Sequence, residues 1–165
     1  SFLYTRSHRP GDREMSDSNW LIHDHRKYQA ALEACDIAAG VREWKEAVQR
    51  FNAFVDELTL HMRMEDEVLY PFFKEEAGDP DDEIGDLTYE HEKLAGLLHS
   101  LAIVIKHKDY DHFEECLKPL YQALVEHDSH EEAVFSRLSG HALLNRRDEI
   151  LRRLEALRPG THRRA

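Results

Sequence analysis

Apolar residues recur at intervals of three and four along most of this chain, which is the pattern of amphipathic helices that each bury one stripe. No segment shows the strict alternation of apolar and polar residues that marks a half-buried strand. The pattern therefore predicts an all-α protein. Its clearest stripe consists of Trp44, Val48, Phe51, Val55, Leu58 and Met62.

Capping residues, glycines and prolines divide this pattern into five helices. Their predicted bounds are about 16–39, 41–74, 81–106, 110–139 and 141–157. Pro71 ends the strongest part of the apolar pattern of the second helix, and Pro119 is expected to kink or loosen the first half of the fourth. We expect an N-terminal arm at residues 1–15, one helical domain at 16–158 and a basic tail at 159–165.

Four long helices with short connections predict an antiparallel up-down-up-down four-helix bundle with an additional C-terminal helix. In such a bundle, facing helices can build a metal site from side chains that point inward. Residues near the start of one helix then lie level with residues near the end of the next.

Composition excludes several classes of protein. The 165 residues are 41% hydrophobic and 33% charged, which is typical of one globular domain. No apolar run approaches the roughly 18 residues of a membrane span, and no signal-peptide pattern opens the chain, so we expect no membrane association and a cytoplasmic location. A net charge of −11 argues against nucleic acid as a partner. Cys35 and Cys116 form neither a metal motif nor a disulfide framework.

A His-x3-Glu pair occurs twice in the chain. His61 and Glu65 are four residues apart and so share one helix face, and His127 and Glu131 repeat the pair 66 positions later (127 − 61 = 66). Taken singly, each pair is typical of a solvated helix face. Repetition at a fixed offset changes that interpretation, because it predicts two related halves with a site between them.

Two single histidines obey the same offset (91 − 25 = 66) and precede the pairs, so the candidate metal ligands are six. Imidazole and carboxylate without thiolate suit iron, manganese or zinc more than copper(I) or an iron–sulfur cluster, and six groups exceed the need of one tetrahedral ion. In the simplest arrangement each Glu bridges two ions, each ion takes two His, and an oxo or hydroxo bridge leaves one open position per ion. The candidates are His25, His61, Glu65, His91, His127 and Glu131.

The neighbours of these residues have less specific interpretations. Asp66 and Glu132 match each other in the repeat and are predicted to be orienting or solvated carboxylates. His130 is expected to pack or to make a hydrogen bond rather than to bind metal. For Tyr70 and Phe135 a core-filling role is favoured over lining of a pocket.

These motifs resemble the hemerythrin-like, or HHE cation-binding, family. The resemblance rests on His-Asp-His-Arg-Lys around His25, His-Met-Arg-Met-Glu-Asp-Glu-Val-Leu-Tyr-Pro from His61, Tyr-Glu-His-Glu-Lys around His91 and His-Asp-Ser-His-Glu-Glu from His127. It covers about residues 20 to 138. It implies a four-helix bundle around a non-haem di-iron centre. The donor types leave manganese or zinc as less favoured alternatives, and the open position on each ion could bind a small ligand such as dioxygen, peroxide or nitric oxide.

The chain also departs from the oxygen-carrying hemerythrins. These use a fifth histidine, where this chain has Ala95, and a fourth-helix Asp at a spacing of five, where it has Glu131 at four. The pattern is nearer to iron- or oxygen-responsive HHE domains and to the repair proteins of iron–sulfur clusters, although residues 1–24 lack the cysteine usual in the repair proteins. Three functions follow: reaction with a small oxidant, sensing that is passed to a protein partner through the fifth helix, or iron donation for cluster repair.

Overall fold

The computed structural model describes most of the chain. Its backbone covers residues 19–138 and 142–160, and its side chains cover 24–137 and 146–160. The arm predicted at residues 1–15, the helix start predicted at Ser16 or Asp17, and the last five residues of the basic tail lie outside the described residues.

Helices account for nearly all of the described chain, and no strand occurs within 19–138 or 142–160. A π-helical turn, Glu65–Leu69, joins α2 to α3, and a 3₁₀ turn, Tyr110–His112, leads into α5. The helices are α1 Asn19–Gly40, α2 Trp44–Met64, α3 Tyr70–Ala77, α4 Glu83–Lys106, α5 Phe113–Leu138 and α6 Ala142–Leu157. The predicted all-α bundle with an extra C-terminal helix is confirmed.

The bundle is built from two helical hairpins. One consists of α1 packed against the long unit from α2 to α3, and the other of α4 packed against α5, while α1 also contacts α5. Residues 41–43 connect α1 to α2, with Arg42 in the left-handed conformation (φ 61°). α5 continues through Pro119 as one helix, so this proline does not interrupt it.

The predicted second helix differs from the observed one at its centre. The amide of Tyr70 donates to the carbonyl of Glu65, five residues earlier, which is the hydrogen bond of a π turn. The turn immediately precedes Pro71, a residue that has no N–H to donate. The helix then continues to Ala77 and ends at Gly78, which has a positive φ of 71°. The helical unit therefore runs through Pro71, as predicted, and ends three residues beyond the predicted end at Lys74.

Two separate apolar clusters form the core. One cluster includes Leu58, Leu98 and Leu124, and the other includes Val68 and Val134. Along α4, along α5 and along the unit from α2 through the π turn, the predicted ligands lie at the boundary between residues of the first cluster and residues of the second. The buried polar groups therefore form a layer between two apolar layers.

The last helix covers the second cluster. Ile150 and Leu154 of α6 are buried in it, and the Arg146 guanidinium lies 4.9 Å from the centre of the Phe72 ring. Arg146 has a non-helical backbone (φ −120°, ψ 15°) that kinks the first part of α6, and it pairs with Glu76 of α3. The extra helix is thus attached to the end of the bundle that carries the π turn. None of the described helices is long and apolar enough to cross a membrane.

Candidate metal centre

The six predicted ligands meet in the polar layer of the bundle. They come from α1, α2, the π turn, α4 and α5, and none is more than 5% exposed. Antiparallel packing brings these residues to one level of the bundle. His25 lies early in α1 and His61 late in α2, and in the same way His91 precedes the middle of α4 and His127 follows the middle of α5. The role of these residues as ligands stays a prediction.

The six groups form two overlapping sets that could each hold one metal ion. The first half-site consists of His25 and His61 with the two glutamates, and the second consists of His91 and His127 with the same two glutamates. Within each set, one ligand atom from every residue lies within 4.8 Å of the others. Glu65 and Glu131 are therefore shared, as the simplest arrangement predicted.

The distances show how each glutamate is shared. Glu131 places Oε1 3.0 Å from His25 Nε2 and Oε2 3.4 Å from His127 Nε2. Glu65 places one oxygen, Oε1, 2.9 Å from His61 Nε2 and 3.4 Å from His91 Nε2. Every imidazole thus turns its Nε2 inward, and each carboxylate reaches both half-sites.

An outer set of carboxylates faces the other nitrogen of these rings. Nδ1 of His25 lies 3.1 Å from Glu132, and Nδ1 of His91 lies 2.8 Å from Asp66. These two contacts are related by the repeat, which supports the orienting role predicted for both carboxylates. An Nδ1–H that donates outward leaves the Nε2 lone pair free to bind metal.

The remaining two imidazoles have outer carboxylates that are also related by the repeat. Nδ1 of His127 lies 2.9 Å from Glu90, whereas Nδ1 of His61 lies 3.8 Å from Asp24, too far for a direct hydrogen bond. His130 places Nδ1 2.6 Å from the second oxygen of Glu90, so it makes the hydrogen bond predicted for it. His130 lies at a surface cleft between α4 and α5, and Glu90 connects that cleft to His127.

Several central atoms lack the partners that buried polar groups normally have. Among the described side chains, His61 Nε2 and both carboxylate oxygens of Glu65 are buried without a well-aligned hydrogen bond, although His61 Nε2 lies 2.9 Å from Glu65 Oε1. Burial lowers the pKa of His61 to about 3, so this imidazole is neutral, which is the form that binds metal. Burial, together with the Glu131 charge, raises the pKa of Glu65 well above its usual range. A cation among these atoms would satisfy them, and the residues therefore fit a bound metal.

Glu131 is in the opposite electrostatic state. Burial alone would raise its pKa, but the neighbouring Glu65, His127 and His25 groups outweigh burial and hold the pKa well below its usual range. Burial likewise opposes protonation of His25, but its hydrogen bond to Glu131 and the charge of Asp128 prevail and raise its pKa to about 9. In the metal-free protein, Glu131 is therefore the anionic glutamate.

Tyr70 reaches the site although sequence reasoning favoured the core for it. Its ring is buried beside Phe135, but its hydroxyl donates a short hydrogen bond to Glu131 Oε2 and lies 3.2 Å from His91 Nε2. An ordinary α-helix would turn Tyr70 about 140° away from Glu65. The π turn changes that angle, so no signal in the helical periodicity could have found this contact.

Asp128 was overlooked by sequence reasoning. It is 3% exposed, and its Oδ1 lies 3.6 Å from His25 Nε2, while Oδ2 accepts a hydrogen bond of 2.8 Å from Gln29. Burial raises its pKa to about 6. Asp128 lies three residues before Glu131, and this helical spacing is a signal that could have placed it on the same face.

The family comparison agrees with the geometry. The Hemerythrin HHE cation binding domain matches residues 16–138, which include all six predicted ligands. No curated protein and no solved structure gave a significant match. The match covers most of the chain and contains both hairpins of the bundle. The chain therefore belongs to the hemerythrin HHE cation-binding domain family.

Proposed function

We propose that this protein holds two non-haem iron ions and binds or reacts with a small oxidant there, such as dioxygen, peroxide or nitric oxide. One observation carries the proposal: two four-residue sets share Glu65 and Glu131 and divide the four imidazoles equally. A single ion would leave half of the imidazoles without a role. Two ions use every group in the layer.

The protein residues would divide the work around such a pair. Each half-site offers two imidazole nitrogens and one oxygen from each shared carboxylate, a donor set that iron, manganese and zinc all accept and that suits iron oxidation chemistry. When bound, the iron pair would supply electrons and open positions for a small ligand. The outer carboxylates hold the imidazoles in place, and the apolar layers on both sides exclude bulk water.

Metal analysis with oxidant exposure tests this function. The protein, loaded with iron without oxygen, should contain two ions per chain and should change its optical spectrum on exposure to dioxygen or peroxide. Glu65→Ala and Glu131→Ala should each lose the second ion first, because each removes a shared ligand. One ion per chain in the wild type, or no spectral response to any oxidant, would contradict the proposal.

Sensing of iron or oxygen is a second candidate, and the packing of α6 favours it. Val68 and Leu69 belong to the π turn that begins with Glu65, and they share an apolar cluster with Ile150 and Leu154 of α6. A change at Glu65 on metal loss could thus alter the packing of α6, which could report it to a protein partner. A sensor should lose much of its fold without metal. If metal-free and loaded protein melt within a few degrees of each other, sensing is rejected.

A cytoplasmic location is part of the proposal. Cys35 and Cys116 are free thiols, which agrees with a reducing compartment. Measuring the amount of this protein in separated cell fractions would test the location.

A further inference from the structure

Most polar residues of the layer in one repeat unit have a polar counterpart in the other unit. Residues without such a counterpart therefore make the two half-sites chemically different. The offset of 66 residues relates the imidazoles, the shared glutamates and the outer carboxylates of one unit to those of the other. Asp128 has no such counterpart, because the equivalent residue is Met62 (128 − 66 = 62). Gln29 has none either, because its equivalent is Ala95 (29 + 66 = 95). One half-site therefore has a polar pair that the other lacks.

This polar pair belongs to the first half-site. Asp128 Oδ1 lies 3.6 Å from His25 Nε2, the nitrogen that points inward, and Gln29 Nε2 holds the other oxygen at 2.8 Å. The distance to His25 exceeds a hydrogen bond, and Asp128 does not belong to the set of atoms that could hold the ion. Its carboxylate thus faces the half-site from just outside, with Oδ1 available as an acceptor.

We propose that Asp128, held by Gln29, makes the first half-site selective for small neutral molecules that carry a proton, of which hydrogen peroxide is the representative, over small anions. A buried carboxylate accepts a hydrogen bond from an O–H group and repels a negative charge through a medium that screens it poorly. At the equivalent position of the other unit, the apolar Met62 provides neither effect. This inference rests on the proposed iron pair and adds a substrate class to it.

The alternative is that Asp128 only orients His25. Asparagine distinguishes the two roles, because it keeps the size of the side chain and can still accept from Gln29, but removes the charge. An orienting role would appear as a lower iron content with unchanged anion affinity. A selective role would appear as changed anion affinity with two ions still bound.

Azide titration of the oxidised, iron-loaded full chain tests the proposal, with the optical spectrum as the readout. Asp128→Asn should bind azide about tenfold more tightly than the wild type, because a nearby like charge is removed. In the reduced, iron-loaded form, where two ferrous ions would supply the two electrons that convert one hydrogen peroxide and two protons to two waters, the same variant should consume hydrogen peroxide more slowly. Asp128→Ala also removes the charge and provides a second test if the asparagine variant folds poorly. Met62→Leu, at the equivalent place in the other unit, is the matched control and should match the wild type.

The outcomes separate this inference from the proposed function. If the wild type takes up two irons but the azide affinity of both Asp128 variants stays within about twofold of it, the selectivity is refuted and the iron pair stands. If the wild type takes up no iron pair, the proposed function fails and the inference fails with it. The inference would also be refuted if Met62→Leu increased the azide affinity as much as Asp128→Asn does, since the effect would then not be specific to the first half-site.

Discussion

Replacing Glu65 by leucine should stabilise the metal-free protein and at the same time remove its stabilisation by iron. Glu65 is completely buried, and neither of its oxygens makes a well-aligned hydrogen bond, since its 2.9 Å approach to His61 Nε2 lacks the required geometry. A buried polar group without a partner costs about 1 to 3 kcal/mol of folding free energy, and leucine of similar size avoids that cost. For a domain of this length, a melting temperature changes by roughly 2 to 4 °C per kcal/mol, so the gain should be about 2 to 12 °C.

Thermal unfolding followed by circular dichroism, with and without iron, measures both effects. Without metal, Glu65→Leu should melt above the wild type. With iron, the wild type should gain stability by mass action and the variant should not, because both half-sites have lost a ligand. Glu57→Leu is the control: Glu57 lies in α2, eight residues before Glu65, is half exposed and pairs with Lys27 at 3.1 Å, so its loss should cost at most about 1 kcal/mol. A metal-free Glu65→Leu protein that melts below the wild type would refute the reasoning.

Three further predictions concern the surroundings of the site and the surface. Asp66→Ala should weaken iron binding by about 10- to 100-fold in a competition with a chelator, because His91 loses the acceptor of its Nδ1–H; unchanged affinity would contradict the orienting role. Tyr70→Phe should destabilise the metal-free protein by about 1.5 to 3 kcal/mol in denaturant unfolding, since the Glu131 anion loses a buried hydrogen bond; a stability equal to wild type would show that the hydroxyl is dispensable. A hydrogen bond to Asp36 raises the pKa of Glu114 to about 7 in the folded protein. Protonated Glu114 therefore stabilises the fold fully at pH values below the usual glutamate pKa, and this stabilisation is lost as the pH rises through 7. Glu114→Gln should therefore melt slightly above the wild type at pH 8 and at the same temperature at pH 4. The gain in stability at pH 8 should be on the order of 0.5 kcal/mol or less, because the side chain is mostly exposed. A gain at pH 4 and none at pH 8 would contradict the predicted pH dependence.

The helices and the candidate ligands were predictable from the sequence because both depend on local periodicity. The stripe from Trp44 to Met62 identified the buried face of α2, and the repeat identified His25 and His91, which no single motif would have singled out. The outer carboxylates Asp66 and Glu132 were recognised for the same reason.

Contacts that depend on departures from α-helical geometry were not predictable. The π turn has no composition of its own, and its position became clear only from the hydrogen bond between Tyr70 and Glu65. Asp128 could have been placed on the buried face by its spacing from Glu131, but its hydrogen bond with Gln29 of a different helix, 99 residues away, could not have been predicted. Pairing between distant helices is a property of the packed bundle and leaves little trace in either segment.

The π turn also changes the register between the two units. The turn adds one residue to the first unit. Beyond the turn, corresponding residues of the two units are therefore 65 rather than 66 positions apart in the sequence (135 − 70 = 65). Tyr70 then corresponds to Phe135, and their rings meet edge to face at 5.9 Å. A phenol and a phenyl ring thus occupy matching places, and the single hydroxyl reaches Glu131. Deleting one residue from the turn would restore the common register and withdraw that hydroxyl, so a length change of one residue is enough to make two like halves chemically different.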